Sequence, residues 1–372
     1  MDCRRFLFAL LTLVSLSACD LVTDPPELIQ KYSVIWDIQS RQPDGLNPLL
    51  SYSSSLRLMP GGDILVSTAN YTNDEYTTRF LKLDASGSIL QEASFKGYSA
   101  YPQVLDDGRI VSLSDSLRVF TSGLQPLLVS PKPFERFGLM AYTPEVMIYT
   151  DYTSSSMSLA SYDYTGNQLW SKPARALGCG GNSMRIEPLA PNAGMFTRSI
   201  GQNSDTLRFS VFSIEDGKPV WSKTYLGSSF FGTSDPDALS RIGVSSLLWM
   251  PRGESVWIFG ADAADEKILV RSVSRDGIGR KFTIDLIAHP FGSLPKGLRT
   301  VDGGFLFGLN GDLTSDAYAY RLAKSDGRGN IGWVGTFTTL GIDFLVDMLE
   351  LEDGTVIVMT GLGTVTAYRP QY

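Results

Sequence analysis

One histidine and three cysteines in 372 residues leave little material for metal or triad chemistry. Zinc sites draw on two or more His or Cys ligands, and only His289 in "LIAHPFGSL" and Cys179 in "ALGCGGNS" stand in the body of the chain. A Ser-His-acid triad would have to use His289, yet no G-x-S-x-G elbow accompanies it, so His289 reads as a loop residue beside a proline. Cys179 has no charged activator next to it and reads as a small loop or strand-end residue. The glycine-rich stretches "GCGGNS" and "GLGTVT" lack the G-x-G-x-x-G and G-K-[ST] patterns of nucleotide cradles, and "TSDPD" and "ADAADE" lack the spacing of a calcium loop. No metal and no cofactor are expected. Positive charge is also in deficit: 32 Lys and Arg against 39 Asp and Glu give a net charge of −7, with a pI near 4.9. Such a chain repels phosphate backbones, which excludes nucleic acid as a partner. Beyond the first residues no amphipathic run of helical period is present.

What is there begins at the N-terminus. Residues 1–5, "MDCRR", carry two arginines, residues 6–16 are almost all apolar, and Ser17 and Ala18 lead into Cys19. That is a charged region, a short apolar core and a small-residue cleavage site, the plan of a signal peptide. The apolar run is about half the roughly 20 residues a spanning helix needs. Leu16-Ser17-Ala18-Cys19 resembles the lipobox of bacterial lipoproteins, in which the cysteine thiol takes a diacylglycerol and the chain is cut just before it. The resemblance makes Cys19 the lipid-bearing residue and implies a cell-envelope protein on the inner or outer membrane. Several acyl chains hold a protein at a bilayer where one is marginal. Asp20 is similar to an inner-membrane retention signal of enterobacteria, a rule other phyla do not follow, so the destination membrane stays open. The organisation predicted is a signal peptide over 1–18, a proline-containing tether over 19–30, and a single domain over 31–372.

The domain is repetitive. "RFLKLDASGSIL", "LASYDYTGNQLW", "FSVFSIEDGKPVW", "ILVRSVSRDGIGRKF" and "AYRLAKSDGRGNIGW" each place a short alternating strand before a Gly-containing turn and a second strand after it. Trp170, Trp221 and Trp333 each follow a turn glycine by four residues, at Gly166, Gly217 and Gly329. A second phrase precedes each of these, as in "PGGDILVST", "DDGRIVSLS", "PRGESVWIFG", "VDGGFLFGL" and "EDGTVIVMTG". Seven such units cover the chain from about residue 50 to its end. Four short strands per unit of about 40 to 50 residues is the arithmetic of a β-propeller blade. The last unit is one strand short, and "YSVIWDIQS" at 32–40 supplies the missing one, with Trp36 in the place of the blade tryptophans. The fold predicted is all-β, a seven-bladed propeller of four-stranded antiparallel blades closed by an N-terminal strand. A closed ring also removes exposed sheet edges within it.

These phrases resemble the secreted propeller repeats of Bacteroidetes-type bacteria and, more distantly, the quinoprotein repeat shared by quinone-dependent dehydrogenases and a non-enzymatic lipoprotein. The resemblance implies the fold far more strongly than a function. The blade tryptophans are expected to pack between neighbouring blades.

Loops joining one blade to the next share a face with the loops between second and third strands. They concentrate aromatic and basic residues, and Arg136, Phe137, Arg175, Arg185, Phe230, Phe231, Arg241, His289 and Phe291 make up the candidate binding face. Aromatic and arginine side chains dominate binding hot spots. The competing expectation is that these aromatics pack under their own loops. Together these observations predict a monomeric, membrane-tethered, non-catalytic propeller that binds an envelope protein or glycan. A channel-sited enzyme, carbohydrate-active or quinone-dependent, is the alternative, because two carboxylates meeting across a ring leave no motif.

Overall fold

Runs rich in Val, Ile, Phe and Tyr favour strands, and Gly-Asp punctuation every few residues turns each run back on its neighbour. A computed structural model describes residues 32–39 and 54–370, apart from 73–74, 98, 100–101, 114–115, 132–139, 144, 153–156, 166, 174–182, 190, 202–203, 233–242, 251–252, 263–266, 286–292, 312–318 and 339–343. The described residues form seven four-stranded antiparallel sheets. Blades 1 to 6 span 55–96, 103–131, 140–173, 183–226, 243–285 and 293–338, each with its strands in chain order from the inside outward. Blade 7 takes three strands from 345–370 and its outer strand, Tyr32–Gln39, from the N-terminus. Tyr32 pairs with Pro370 and Gln39 with Thr364, so the two ends of the chain close the ring in one ladder.

Burial follows position within a blade. The second strands Phe305–Asn310 and Val356–Thr360 are buried at every residue, because sheets lie against both of their faces. The third strand Lys267–Ser274 is buried at Ile268, Val270, Arg271 and Val273, while the outer strand Ile89–Lys96 is largely exposed. Seven apolar clusters fill the seven seams between adjacent blades. Met59, Leu65 and Phe80 meet Ile110 and Phe120 between blades 1 and 2, for example, and Leu81 and Leu83 meet Ile357 and Val365 where blade 7 closes on blade 1.

Two kinds of turn lie on one face. Between first and second strands the Leu105 N–H donates to Arg109 O and the Leu351 N–H to Thr355 O, both at 2.8 Å. Between third and fourth strands an aspartate caps the turn. Asp163 accepts from the backbone N–H groups and side chains of Thr165 and Asn167, and Asp326 accepts from the N–H groups of Arg328 and Asn330. The Thr165 hydroxyl, then Asn167, hold the Asp163 carboxyl at about 2.

The outer-strand tryptophans lock blades together through these turns. Trp170 Nε1 donates to Ile214 O of the next blade at 2.7 Å, Trp221 Nε1 to Gly253 O at 2.8 Å, and Trp36 Nε1 to Ala85 O at 3.0 Å. Gly87 and Gly217, at φ +83° and +66°, lie under Trp36 and Trp170, where a Cβ would strike the rings. The turn glycines thus serve both the backbone conformation and the next ring. One short helix, Gly227–Phe231, occurs among the described residues; it is too brief for a helical period to show in the sequence.

Candidate binding surfaces

The candidate face does not carry its central aromatic pair outward. Phe230 is 0% and Phe231 6% exposed. The helix Gly227–Phe231 follows the outer strand of blade 4 and stops at Gly232, whose φ of +78° is the left-handed region, where glycine bears no steric penalty. It thereby turns both rings into the seam between blades 4 and 5. Phe230 meets Phe209 and Tyr225 at ring separations of 5.7 and 5.6 Å, and Phe231 stands edge-on to it at 5.2 Å. The expectation of packing beneath the loop holds for this pair, and the exposed-platform reading is corrected, because apolar rings gain more from the seam than from water. Arg185 is corrected in position too: it lies within the inner strand Ser183–Leu189, opposite Phe196, rather than in a loop. Arg136, Phe137, Arg175, Arg241, His289, Phe291, Cys179 and Cys19 lie outside the described residues.

Around the central channel the inner strands of three blades converge on one carboxylate. Asp347, 5% exposed, sits 2.7 Å from Lys296 Nζ of blade 6 and 3.2 Å from Arg57 Nη1 of blade 1. It also accepts from the N–H groups of Leu56 and Met348 at 3.0 and 2.9 Å. Burial alone would raise its pKa, but Lys296 and then Arg57 outweigh burial and hold it below the usual aspartate value. Both oxygens are engaged by fixed donors, so this group is an ionised brace rather than a proton carrier. It ties the closing blade to both of its neighbours.

A groove of about 530 Å³ opens where blade 5 meets the turns of blade 6, lined by Arg280, Lys281, Phe282, Asp302, Gly303, Asp326, Gly327 and Arg328. Its two acids are engaged within the protein. Asp302 pairs with Lys324 at 2.7 Å and accepts from Thr300 and Gly304; burial pushes its carboxyl up, and Lys324 followed by Thr300 bring it down to about 2. Asp326 caps its own turn. The guanidinium groups of Arg280 and Arg328 are exposed and make no ion pair among the described residues. Phe282, packed on Phe305 at 5.5 Å and beneath Gly329, forms the apolar side. The sequence carried one sign of this groove. At the turn position where Asp84 is followed by Ser86 and Asp163 by Thr165, Asp326 is followed by Arg328.

No protein-family model matches the chain, and no curated protein matches it. Among solved structures, the WD40 β-propeller domain of Doa1 aligns at TM-score 0.50 and 11% identity, over 91% of this chain and 97% of that one. This likeness is one of fold. Sqt1 from Chaetomium thermophilum, bound in its crystal to the N-terminus of the ribosomal protein L10, aligns at TM-score 0.49 and 13% identity over 84% of this chain and 82% of its own. The propeller domain of the Trilobed protease from Pyrococcus furiosus aligns at 0.47 and 11%, over 82% and 89%.

Proposed function

We propose that this protein is a membrane-tethered, non-catalytic binding propeller, anchored through lipid on Cys19, that holds an envelope protein by an acidic segment. The supporting observation is the blade 5–6 groove, where Arg280 and Arg328 make no ion pair among the described residues and stand beside Phe282, while Asp302 is paired with Lys324 and Asp326 is turned onto the N–H groups of its own turn. A planar guanidinium takes a carboxylate through two parallel hydrogen bonds, and arginine beside an aromatic ring is the composition of a hot spot. In a chain with net charge −7, such a patch favours an acidic partner locally over the basic one the overall field would attract. The tether rests on the lipobox resemblance of Leu16–Cys19.

Photo-crosslinking from residues flanking the groove in the intact envelope, with mass spectrometry of the products, tests the surface. A defined protein adduct through an acidic segment, lost in an Arg280→Glu/Arg328→Glu variant and weakened at high salt, is the expected result. Adducts indifferent to that variant, or a glycan adduct in place of a protein, would overturn the reading. The anchor is tested separately: Cys19→Ala should leave the protein out of the membrane pellet and unlabelled by radioactive palmitate.

A further inference from the structure

The seam between blades 4 and 5 holds two buried arginines, one above each aromatic ring of the helix Gly227–Phe231, and the described residues supply a carboxylate to only one of them. Arg198, 6% exposed, lies over Phe231 at 5.4 Å and is clamped by Asp205, Nε to Oδ1 at 2.9 Å and Nη2 to Oδ2 at 2.6 Å. Arg271, 3% exposed, lies over Phe230 at 5.2 Å, yet its Nε and Nη2 have no hydrogen-bond partner among the described residues. Burial lowers its pKa. The ring face offsets part of a desolvated cation's burden, but buried guanidinium N–H groups without acceptors are exceptional and call for an explanation.

The surroundings of Arg271 point to an absent anion. Lys281 is its direct partner across the outer pair of strands of blade 5, and no ion pair joins Lys281 to an acid among the described residues. Gly232 lies where the two cations converge: a Cβ there would lie 3.0 Å from Lys281 Nζ and 3.5 Å from Arg271 Nη2. Both cationic groups therefore face the same stretch of backbone, which carries no side chain of its own at residue 232. Tyr225, on the same Phe230 ring, also has a buried hydroxyl with no partner among the described residues. Like charges this close repel unless an anion lies between them.

We propose that Arg271 and Lys281 form a binding site for an oxyanion, a carboxylate or a phosphate, which supplies at Phe230 the counter-charge that Asp205 supplies at Phe231. Lys281 also borders the blade 5–6 groove, but Arg271 lies over Phe230 in the blade 4–5 seam, so loss of the oxyanion response in Arg271→Met is distinguishable from loss of the protein adduct in Arg280→Glu/Arg328→Glu.

Thermal unfolding of the full-length mature protein in detergent, at constant ionic strength, is followed while chloride is replaced by succinate in one series and by phosphate in another. The melting temperature is expected to rise with the logarithm of one oxyanion's concentration, and the series that responds identifies the source. Lys281→Gln, an exposed substitution that leaves the fold intact, should weaken the response by about tenfold, the scale of one charge-assisted hydrogen bond. Arg271→Met should abolish it while leaving the ion-free melting temperature equal or higher, since an unpaired buried charge is removed. An undiminished response in Lys281→Gln overturns the proposal. So does the absence of a response in the native protein, including the case where it emerges only in Asp235→Asn/Asp237→Asn, which would make an acid of the "TSDPD" stretch that follows Gly232 in the sequence the occupant.

Discussion

Asp347 shows how one side chain can hold a ring. Its carboxylate joins the inner strands of blades 6, 7 and 1 through Lys296 and Arg57. Asp347→Asn keeps the shape and removes the charge, leaving two cations facing a neutral amide. Breaking a buried pair typically costs about 3–5 kcal/mol, and partial exposure of both cations reduces that here to about 2–3 kcal/mol, readable as a lower urea midpoint. The sign of the pH dependence follows from the depressed pKa. With its folded value below that of an ordinary aspartate, Asp347 contributes its full stability well above the unfolded aspartate pKa of about 3.9, and the contribution is lost as pH falls through the folded value. The turn carboxylates Asp163 and Asp216, held at about 2 chiefly by the Thr165 hydroxyl and by Lys218, act in the same direction. Stability measured by circular dichroism should therefore fall between pH 4 and 2, and an Asp347→Asn protein should lose less over that interval than the native one.

At the scale of elements, the third-to-fourth-strand turn couples one blade to the next. Gly87→Ala places a methyl at φ +83° against Trp36, and both effects oppose folding. Loss of about 2–4 kcal/mol is expected from the left-handed backbone and the clash together. Hydrogen exchange should show faster opening of Tyr32–Gln39 in that variant than of the blade 4 ladder. Trp221→Phe removes only the bond to Gly253 O and part of the ring, for about 1–2 kcal/mol by denaturant titration. The turn phrases were legible because Asp, Gly and Trp have fixed offsets imposed by local geometry. The helix Gly227–Phe231 was not, since a five-residue turn of helix is defined by what its two rings find between blades rather than by any period. Arg185 was misplaced for a related reason: the strand starts where pairing with Met195–Arg198 begins, and the partner strand, not the local sequence, sets that point.

For the whole molecule, topology fixes which way a tether would leave. Outer strands run away from the face that carries the Asp-capped turns, so the N-terminal strand enters at that face, at Tyr32. If Cys19 carries lipid, the dozen or so residues between it and Tyr32 reach at most about 45 Å, and the turn face lies toward the bilayer. A cysteine introduced at exposed Ala85 on the turn face should then react more slowly with an impermeant maleimide on intact membranes than one at exposed Glu75 on the opposite face. Ring closure carries its own prediction. A protein lacking residues 1–39 exposes the ladder edge of Thr364–Pro370 and the part of the blade 7–1 cluster that Trp36 and Ile38 pack against, and it should unfold at lower urea with a less cooperative transition and associate through the open edge.

By itself the sequence determined what is written locally and repeated: strand runs of period two, turn residues at fixed offsets, seven units, the N-terminal strand that completes the last of them, and a scarcity of His and Cys. Tertiary structure alone decided which side chains meet. It sent Phe230 and Phe231 inward, brought Asp347 between a lysine and an arginine from two other blades, and aligned Arg280 with Arg328 along one groove. These juxtapositions depend on how adjacent blades pack across their seams, and residues tens or hundreds of positions apart leave no spacing in the sequence by which such a meeting could be read.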